Sequence, residues 1–457
     1  MADGEGARLG PVTGASRIEV LDILRGIAIL GIFYMNIPFQ ALNVPMMMFD
    51  VRSVGWTVAD RNSWFAIQVF WEGTQRGLLE FLFGAGMMVL TARVMDPNGP
   101  VAVADLYFRR NLWLLVFGLA DIFVLLWVGD ILHIYAIAAL FLFPFRRLNP
   151  KALVAMGLIW AAWNGIGHPK NALFNQSTGI FRYVERMQTI AAVEAVKAKQ
   201  AAQQPLSAAE KTTLKDWDKL SERLKLGDET KEQAAAEAKS HRGSFGAYVL
   251  TNWNTWLTLQ GKGFSFDGII EAFSTMLIGI ALWKWRITQG GRSVGLYVGL
   301  MLAAYGFGLT ARAVGAAEIA AFSLAPKTIW ITQEFARIAV SLGHLALVNL
   351  IVKTAVGRSL LGPFKAAGKT AFSIYFLTQF IGLWIIFAPF GLGLWGRYSW
   401  GGLTAIATGV IVALLILANV WMRHFAMGPL EWAWRSLSYG RRQRMRHLPA
   451  VPDPIVV

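Results

Sequence analysis

Leu21-Asp22-Ile23-Leu24-Arg25-Gly26-Ile27-Ala28-Ile29-Leu30-Gly31, running on to Asn36, is the first strongly apolar stretch of the chain and reads as the opening of a membrane domain. It carries a carboxylate and a guanidinium one helical turn apart, at the start of the span. Charged groups in or at the edge of a bilayer are costly and face a protein interior or a wet cavity. Two readings follow. One is a functional polar face on the first helix; the other is an anchor in which Arg25 snorkels to headgroups and pairs with Asp22.

Composition extends the membrane reading to the whole chain. Of 457 residues 55% are hydrophobic, and the mean hydropathy is +0.46. That is far from an ordinary soluble enzyme. Apolar runs of about 18–25 residues recur, each long enough to cross a bilayer. Their positions predict an all-α polytopic membrane protein of about ten transmembrane helices, near 20–40, 66–91, 111–128, 131–146, 151–166, 266–285, 294–314, 330–352, 370–390 and 402–422. The first residues are small and polar and the first apolar run continues as a full span, so no cleavable signal peptide is expected. There is no cysteine, which removes disulfide, thiol and Cys-based metal chemistry.

The net charge of +15 is explained by placement. Arg17, Arg93, Arg109, Arg110, Arg146, Arg147, Lys151, Lys284, Arg286, Arg292, Lys353, Arg358, Lys365, Lys369 and Arg441-Arg442-Gln443-Arg444 fall on one side of the expected spans. The opposite short loops hold few basic residues, such as Arg52, Arg61, Lys327 and Arg397. The asymmetry predicts both termini in the cytoplasm. The basic residues then act as anchors near anionic lipid rather than as a nucleic-acid surface.

Residues 170–245 break the pattern. From Arg182 to Arg242 there are 12 Lys/Arg and 10 Asp/Glu, a net of +2. Ile190 to Gln203 and Ala208 to Ala238 read as solvated amphipathic helices separated near Pro205. The expected division is 1–169 with helices one to five, 170–245 as an extracytoplasmic helical insert, 246–440 with helices six to ten, and 441–457 as a basic cytoplasmic tail. The insert is a spacer, a lid over an external cavity or a partner-docking arm. After it, Trp253 and Trp256 fit an interfacial belt. Gln260-Gly261-Lys262-Gly263-Phe264-Ser265 lacks the P-loop pattern and reads as an interfacial re-entrant turn.

Several polar groups sit where a lipid-facing helix could not keep them. Glu72, Arg76 and Glu80 share one face by four-residue spacing, ahead of a small-residue stretch ending at Gly86 that allows close packing. Asp130 and His133 lie three apart at a helix start. The carboxylate is either an N-cap or the orienting partner of a general-base histidine. Glu334, Arg337, Ser341 and His344 share another face, and Arg312 is a further buried-cation candidate. In the expected topology Asn36, Glu72, Arg76, Asp130, His133, Glu334 and Arg337 fall in the outer half of the membrane, with Arg25, Arg109 and Arg110 at the inner edge. An outward polar cavity with a cationic mouth inward is expected. No metal site is expected, because no histidine pair or acidic cluster has ligand spacing. There is no Gly-x-Ser-x-Gly elbow.

These residues carry a resemblance. Leu21-Asp22-x-x-Arg25-Gly26-x-Ala28-x-Leu30-Gly31 with Asn36 resembles the opening of the YeiB-like bacterial membrane proteins, a family described as a domain of unknown function. Glu72-Gly73 with Leu82-Phe83-Gly84-Ala85-Gly86, then Arg109-Arg110 through Trp127-x-Gly129-Asp130-Ile131-Leu132-x-x-Tyr135, are similar to its second and third blocks. Gly368 to Gln379, with Tyr375, and Gly428-Pro429-Leu430-Glu431-Trp432-x-Trp434-Arg435 resemble the last two. The blocks keep the family order and span the chain except for the insert.

The resemblance implies a place in a wider set of transmembrane acyltransferases, with acyltransferase family 3 and the heparan-glucosaminide acetyltransferases. These pass an acyl group from cytoplasmic acyl-CoA to an extracytoplasmic sugar. It also implies a bacterial inner-membrane location. In acyltransferase family 3 a helix-1 Arg is followed eleven residues later by His; here Arg25 is followed by Asn36, an amide that cannot act as a base. Where many relatives place a His before the Gly-Asp turn, this chain has Ala120-Asp121-Ile122. His344 stands where Tyr is frequent, and Glu80 replaces a small hydroxyl residue.

The implied reaction places acyl-CoA phosphates near Arg25, Arg109 and Arg110. His133, held by Asp130, takes the acceptor's proton, and Asn36 polarises the acyl carbonyl. Glu72, Arg76, Glu334, Arg337, His344, Tyr375 and Gln379 line the path of an envelope glycan or lipid acceptor. A transporter or flippase of an amphipathic substrate, and a non-catalytic envelope scaffold, remain alternatives. The glycines Gly295, Gly299 and Gly306 offer a helix-packing face, within the chain or in a homo-oligomer.

Overall fold

The computed structural model describes residues 18–44, 47, 50–91, 101–171, 176–224 and 228–446. Arg17, Arg93 and the end of the basic tail lie outside them. The described residues are helical, with one isolated antiparallel bridge between Phe425 and Arg446.

The first span is two helices, α1 (Glu19–Gly31) and α2 (Phe33–Ala41), with Pro38 inside the second. Then come α3 (Val58–Ala66), α4 (Thr74–Thr91), α5 (Val101–Phe123), α6 (Leu132–Leu142), α7 (Pro150–Gly157) and α8 (Ile159–Ile166). The polar region forms α9 (Gly179–Ala201), α10 (Ala208–Leu224) and α11 (Asp228–His241). The remainder is α12 (Phe245–Gly261), α13 (Phe264–Lys284), α14 (Val294–Ala320), α15 (Lys327–Val352), α16 (Ala355–Lys369), α17 (Ala371–Phe380), α18 (Trp400–His424) and α19 (Pro429–Tyr439).

Among the described residues five segments are long and apolar enough to cross a membrane: Glu19–Ala41, Phe264–Lys284, Val294–Ala320, Lys327–Val352 and Trp400–His424. A sixth counts if α16 and the stretch Ala371–Ile386, bent by 75° from each other, form one span. The expected spans near 66–91, 111–128, 131–146 and 151–166 are helical but fall short of that measure. Arg76 and Glu80 charge α4, while Arg109, Arg110 and Asp121 charge α5. Only 11 residues of α6 are α-helical, and α7 and α8 are broken at Leu158. Burial ranks the five. The first span is 72% buried and central, whereas α14 and α18 are 17% and 22% buried and peripheral. On the glycine face of α14 a Cβ added at Gly295, Gly299 or Gly306 would meet no other described element within 4 Å.

Three local differences from the sequence reading have physical causes. Residues 355–369, read as a basic loop, form amphipathic helix α16. Thr354 caps it, and Lys365 pairs with Glu19 at 2.7 Å. The turn expected at 260–265 is confined to Lys262 and Gly263 (φ +81°), between α12 and α13. The second helix of the polar region is two, and the first starts at Gly179 rather than near Ile190.

The polar helices rest on one end of the bundle. Arg182 lies over the Trp330 ring at 4.2 Å, and Arg186 donates to the Leu324 carbonyl. His241 stacks on Trp395 with centroids 4.5 Å apart. Asn43 donates to Glu237. Burial raises the Glu237 carboxyl from 4.5 to about 7, and burial lowers the His241 imidazole below 6.5. The raised carboxyl favours docking in acid and loses that contribution as pH climbs from 4.5 through about 7. The depressed imidazole acts in the opposite sense and loses its contribution as pH falls below 6.5. Docking of 179–241 is therefore expected to weaken between pH 6.5 and about 7 and to vary little just below that. In Glu237→Gln the loss above 6.5 should vanish, leaving a fall toward acid. Limited proteolysis of this segment across pH checks both profiles.

Candidate functional site

The turn from α5 into α6 places one carboxylate at the centre of the site. Asp130 is fully buried. Its Oδ1 accepts from the Leu132 amide at 3.1 Å and the Tyr375 hydroxyl at 3.0 Å. Its Oδ2 accepts from the His133 amide and faces His133 Nδ1, both at 2.8 Å. Capping and orientation of the histidine, alternatives in sequence, are thus performed by the same side chain. A carboxylate only accepts, so Nδ1 carries the proton and Nε2 is left as the acceptor. Nε2 lies 2.8 Å from Ser265 Oγ, on the first turn of α13. The result is a linear Asp130–His133–Ser265 array, with His133 4% exposed. Asp121 is buried beside Asp130.

Tyr375 is held from the far end of the chain. The chain bends at Thr370, so the first amides of α17 lack intrahelical acceptors. Glu431 of α19 accepts from the Phe372 amide at 2.7 Å, the Ser373 amide at 3.3 Å and the Ser373 hydroxyl at 2.6 Å. This cap sets the helix that carries Tyr375. One turn on, Gln379 accepts from Gln40 at 2.5 Å.

A cavity of about 250 Å³ runs up to this group. Arg25, Arg110, Lys369 and Arg435 line its mouth, with Glu431. Ile29, Leu79, Leu82, Phe83, Met87 and Leu114 form an apolar shaft, which closes on Ile131, Leu132, Tyr135 and Tyr375. Arg110 also lies over the Trp434 ring at 4.4 Å. Arg109 is not in the wall; it pairs with Asp105 at 2.6 Å.

A second, polar cavity of about 90 Å³ lies toward the polar helices, lined by Glu72, Arg76, Glu271, Arg312, Glu334 and Arg337 among others. Arg337 is 3% exposed and holds it together. It reaches Glu80 at 2.8 Å, Glu334 at 3.1 Å, Glu271 at 3.4 Å and Thr275 Oγ1 at 2.9 Å. Arg76 meets Glu271 at 2.8 Å. The chain before α4 is a π-turn over Ile67–Trp71 followed by Gly73 at φ +67°. That geometry frees the carbonyls of Gln68, Val69 and Glu72, and Arg312 donates to all three. Gly73 is required twice, by its positive φ and because a Cβ would sit 2.9 Å from Arg337 Cδ. Tyr135 partitions the two cavities: its ring lines the first, and its hydroxyl meets the Arg76 carbonyl at 3.1 Å and Glu80 at 3.3 Å.

Two more expected residues stand apart. His344 is satisfied by Tyr305 at 2.7 Å and the Phe70 carbonyl at 2.9 Å. Asn36 is buried, but among the described residues no hydrogen bond joins it to His133 or Asp130. Sequence reasoning missed Ser265, Glu271, Thr275, Lys369 and Arg435 as site residues. For Glu271 the signal was present, a carboxylate inside an apolar span. For Ser265 nothing local marked it.

A family model described as a protein of unknown function (DUF418) matches residues 282–441. Over 440 residues, 94% of this chain and 96% of its relative, the sequence is 30% identical to the uncharacterized protein YxaH of Bacillus subtilis. The chain belongs to the DUF418 family. It is also 23% identical over 431 residues to the uncharacterized protein YeiB of Escherichia coli, covering 92% of this chain and 96% of that one. The YeiB-like resemblance of the motifs is thus met across the length of the chain. No solved structure matches it at a significant level. The DUF418 segment holds Arg312, Glu334, Arg337, Tyr375 and Glu431, while Asp130, His133 and Ser265 precede it.

Proposed function

We propose that this DUF418 protein is a transmembrane acyltransferase of the bacterial inner membrane. It has about ten spans, both termini in the cytoplasm and the polar helices outside. It moves an acyl group from cytoplasmic acyl-CoA to an envelope glycan, lipid or similar acceptor. The observation that carries the reading is the first cavity: a mouth with four cations, an apolar shaft, and an end at the Tyr375–Asp130–His133 group. Cations suit phosphates through charge-assisted hydrogen bonds, and the shaft suits an acyl arm. His133 Nε2, with its proton on the Asp130 side, can accept a proton from a hydroxyl. The polar cavity beyond Tyr135 suits the acceptor. In this reading the unpartnered glycine face of α14 meets lipid or a second copy of the chain.

The test is transfer of labelled acyl groups from a panel of acyl-CoAs into envelope material by membranes carrying wild type or His133→Ala. Wild-type transfer with a loss of about 10²–10⁴ in the variant is expected, at unchanged protein level. Full transfer by His133→Ala removes the base. No transfer by intact wild type from any donor removes the reaction.

A second reading is favoured by the charge network alone. Seven buried or half-buried ionisable groups flank the second cavity, and polar interiors of this kind also serve transport of amphipathic substrates. Acyl-CoA-independent lipid movement in proteoliposomes is its signature.

A further inference from the structure

We propose that Ser265 is a nucleophile, and that the protein works through an acyl-serine intermediate. The proposal rests on the acyl-donor reading above for its substrate class, but its geometry stands independently. Asp130, His133 and Ser265 form a Ser-His-Asp array from two separate places in the chain, the turn that holds Asp130 and His133 and the start of α13, with 2.8 Å at each junction. Such arrays are recognised by geometry rather than by sequence position or order. Oδ2 of Asp130 fixes the imidazole through Nδ1 and through the His133 amide, so Nε2 is left to accept, and the hydroxyl it meets is that of Ser265.

The helix start around Ser265 adds what an attacked carbonyl needs. The N-cap is Gly263, which supplies no side chain to the first turn. The first intrahelical bond of α13 runs from the Asp267 amide to Gly263 O at 2.9 Å. The amides of Phe264, Ser265 and Phe266 therefore have no intrahelical acceptor and can receive an oxyanion. Ser265 itself is half-buried, so it is reachable. The shaft of the donor cavity ends on Leu132 and Tyr135, which flank His133 on its own helix.

The step balances without any further reactant. Ser265 Oγ attacks the thioester carbonyl while its proton passes to His133 Nε2. The C–S bond breaks, the leaving thiolate takes that proton, and the acyl group remains as an ester on Ser265. An acceptor hydroxyl then gives its proton to Nε2 and attacks this ester. The bond between the acyl carbon and Ser265 Oγ breaks, and the serine oxygen recovers the proton.

The experiment uses the purified full chain in detergent with two probes. An alkyl fluorophosphonate should label Ser265, identified by mass spectrometry, and the label should be lost in His133→Ala. Labelled acyl-CoA without acceptor should leave a hydroxylamine-labile acyl group on the same peptide. A second variant guards against misfolding. The chain has no cysteine, so Ser265→Cys carries a single thiol. Near neutral pH its alkylation by iodoacetamide should be about tenfold faster than in Ser265→Cys/His133→Ala, because a paired imidazole favours thiolate. Absence of fluorophosphonate label on wild-type Ser265, with equal alkylation in the two cysteine variants, overturns the proposal. So does undiminished acyl transfer by Ser265→Ala, which leaves the acyltransferase reading standing. Phosphonate labelling of Ser265 without transfer from any acyl-CoA keeps the nucleophile and removes the acyl-CoA reading.

Discussion

Replacing Arg337 with methionine is expected to destabilise the protein by about 3–5 kcal/mol, the cost of leaving buried charges unpaired. Arg337 contacts Glu80, Glu271 and Glu334 and is almost wholly buried. Once it is gone, Glu80 retains Arg76 at 3.9 Å and the Tyr135 hydroxyl, and Glu334 loses its 3.1 Å partner. Methionine roughly fills the volume but cannot donate to Thr275 Oγ1 or to the carboxylates. The readout is thermal unfolding and gel filtration in detergent. A loss of the monodisperse peak, partly recovered in Arg337→Met/Glu80→Gln, is the expected result, since removing a charge together with its partner costs less than stranding one. An unchanged midpoint in the single variant would mean that water screens this network.

The second large effect is expected from Gly368→Ala. α1 and α16 cross at backbone contact: a Cβ on Gly368 would stand 1.8 Å from the Asp22 carbonyl oxygen, and one on Gly26 would stand 2.0 Å from that of Phe364. No side chain can rotate away from such a clash, so the helices must part. Overpacking of this kind costs about 1–3 kcal/mol, and more where backbone is struck. Gly368, Lys369 and Arg25 all line the mouth of the first cavity. If the proposed acyl-donor reading holds, the same methyl should weaken donor binding, read as a raised KM in the transfer assay. Gly26→Ala should behave alike. Gly409→Ala, with nothing within 4 Å of its added carbon, is the control and should unfold at or slightly above the wild-type midpoint.

Some of this was legible in the sequence because it is local. The helical class follows from apolar runs, and the Asp130–His133 and Glu334–Arg337 pairs follow from three-residue spacing. What failed was either interruption or distance. The π-turn at Ile67–Trp71 exists because Arg312, more than 240 residues away, takes its carbonyls. Helix α16 was hidden by Arg358, Pro363 and Lys365, which read as a loop although they follow an amphipathic helix. The union of Ser265 with His133 spans 132 residues and has no periodic trace. Periodicity reports which face is buried, never which distant element will cover it.

The order of these residues along the chain also governs how the protein can be made. Arg337 is synthesised 257 residues after Glu80, and Ser265 follows His133 by 132. At about 5–20 residues per second, a ribosome needs roughly 7–26 s to reach Ser265 from His133 and about twice that to reach Arg337 from Glu80. During that delay the early helices must survive membrane insertion half-paired. The local contacts Asp22–Arg25, Arg76–Glu80 and Asp130–His133 are the partners each nascent segment brings with it. A nascent chain arrested before Ser265 should therefore already hold its first helices, while remaining dead to a serine-directed probe.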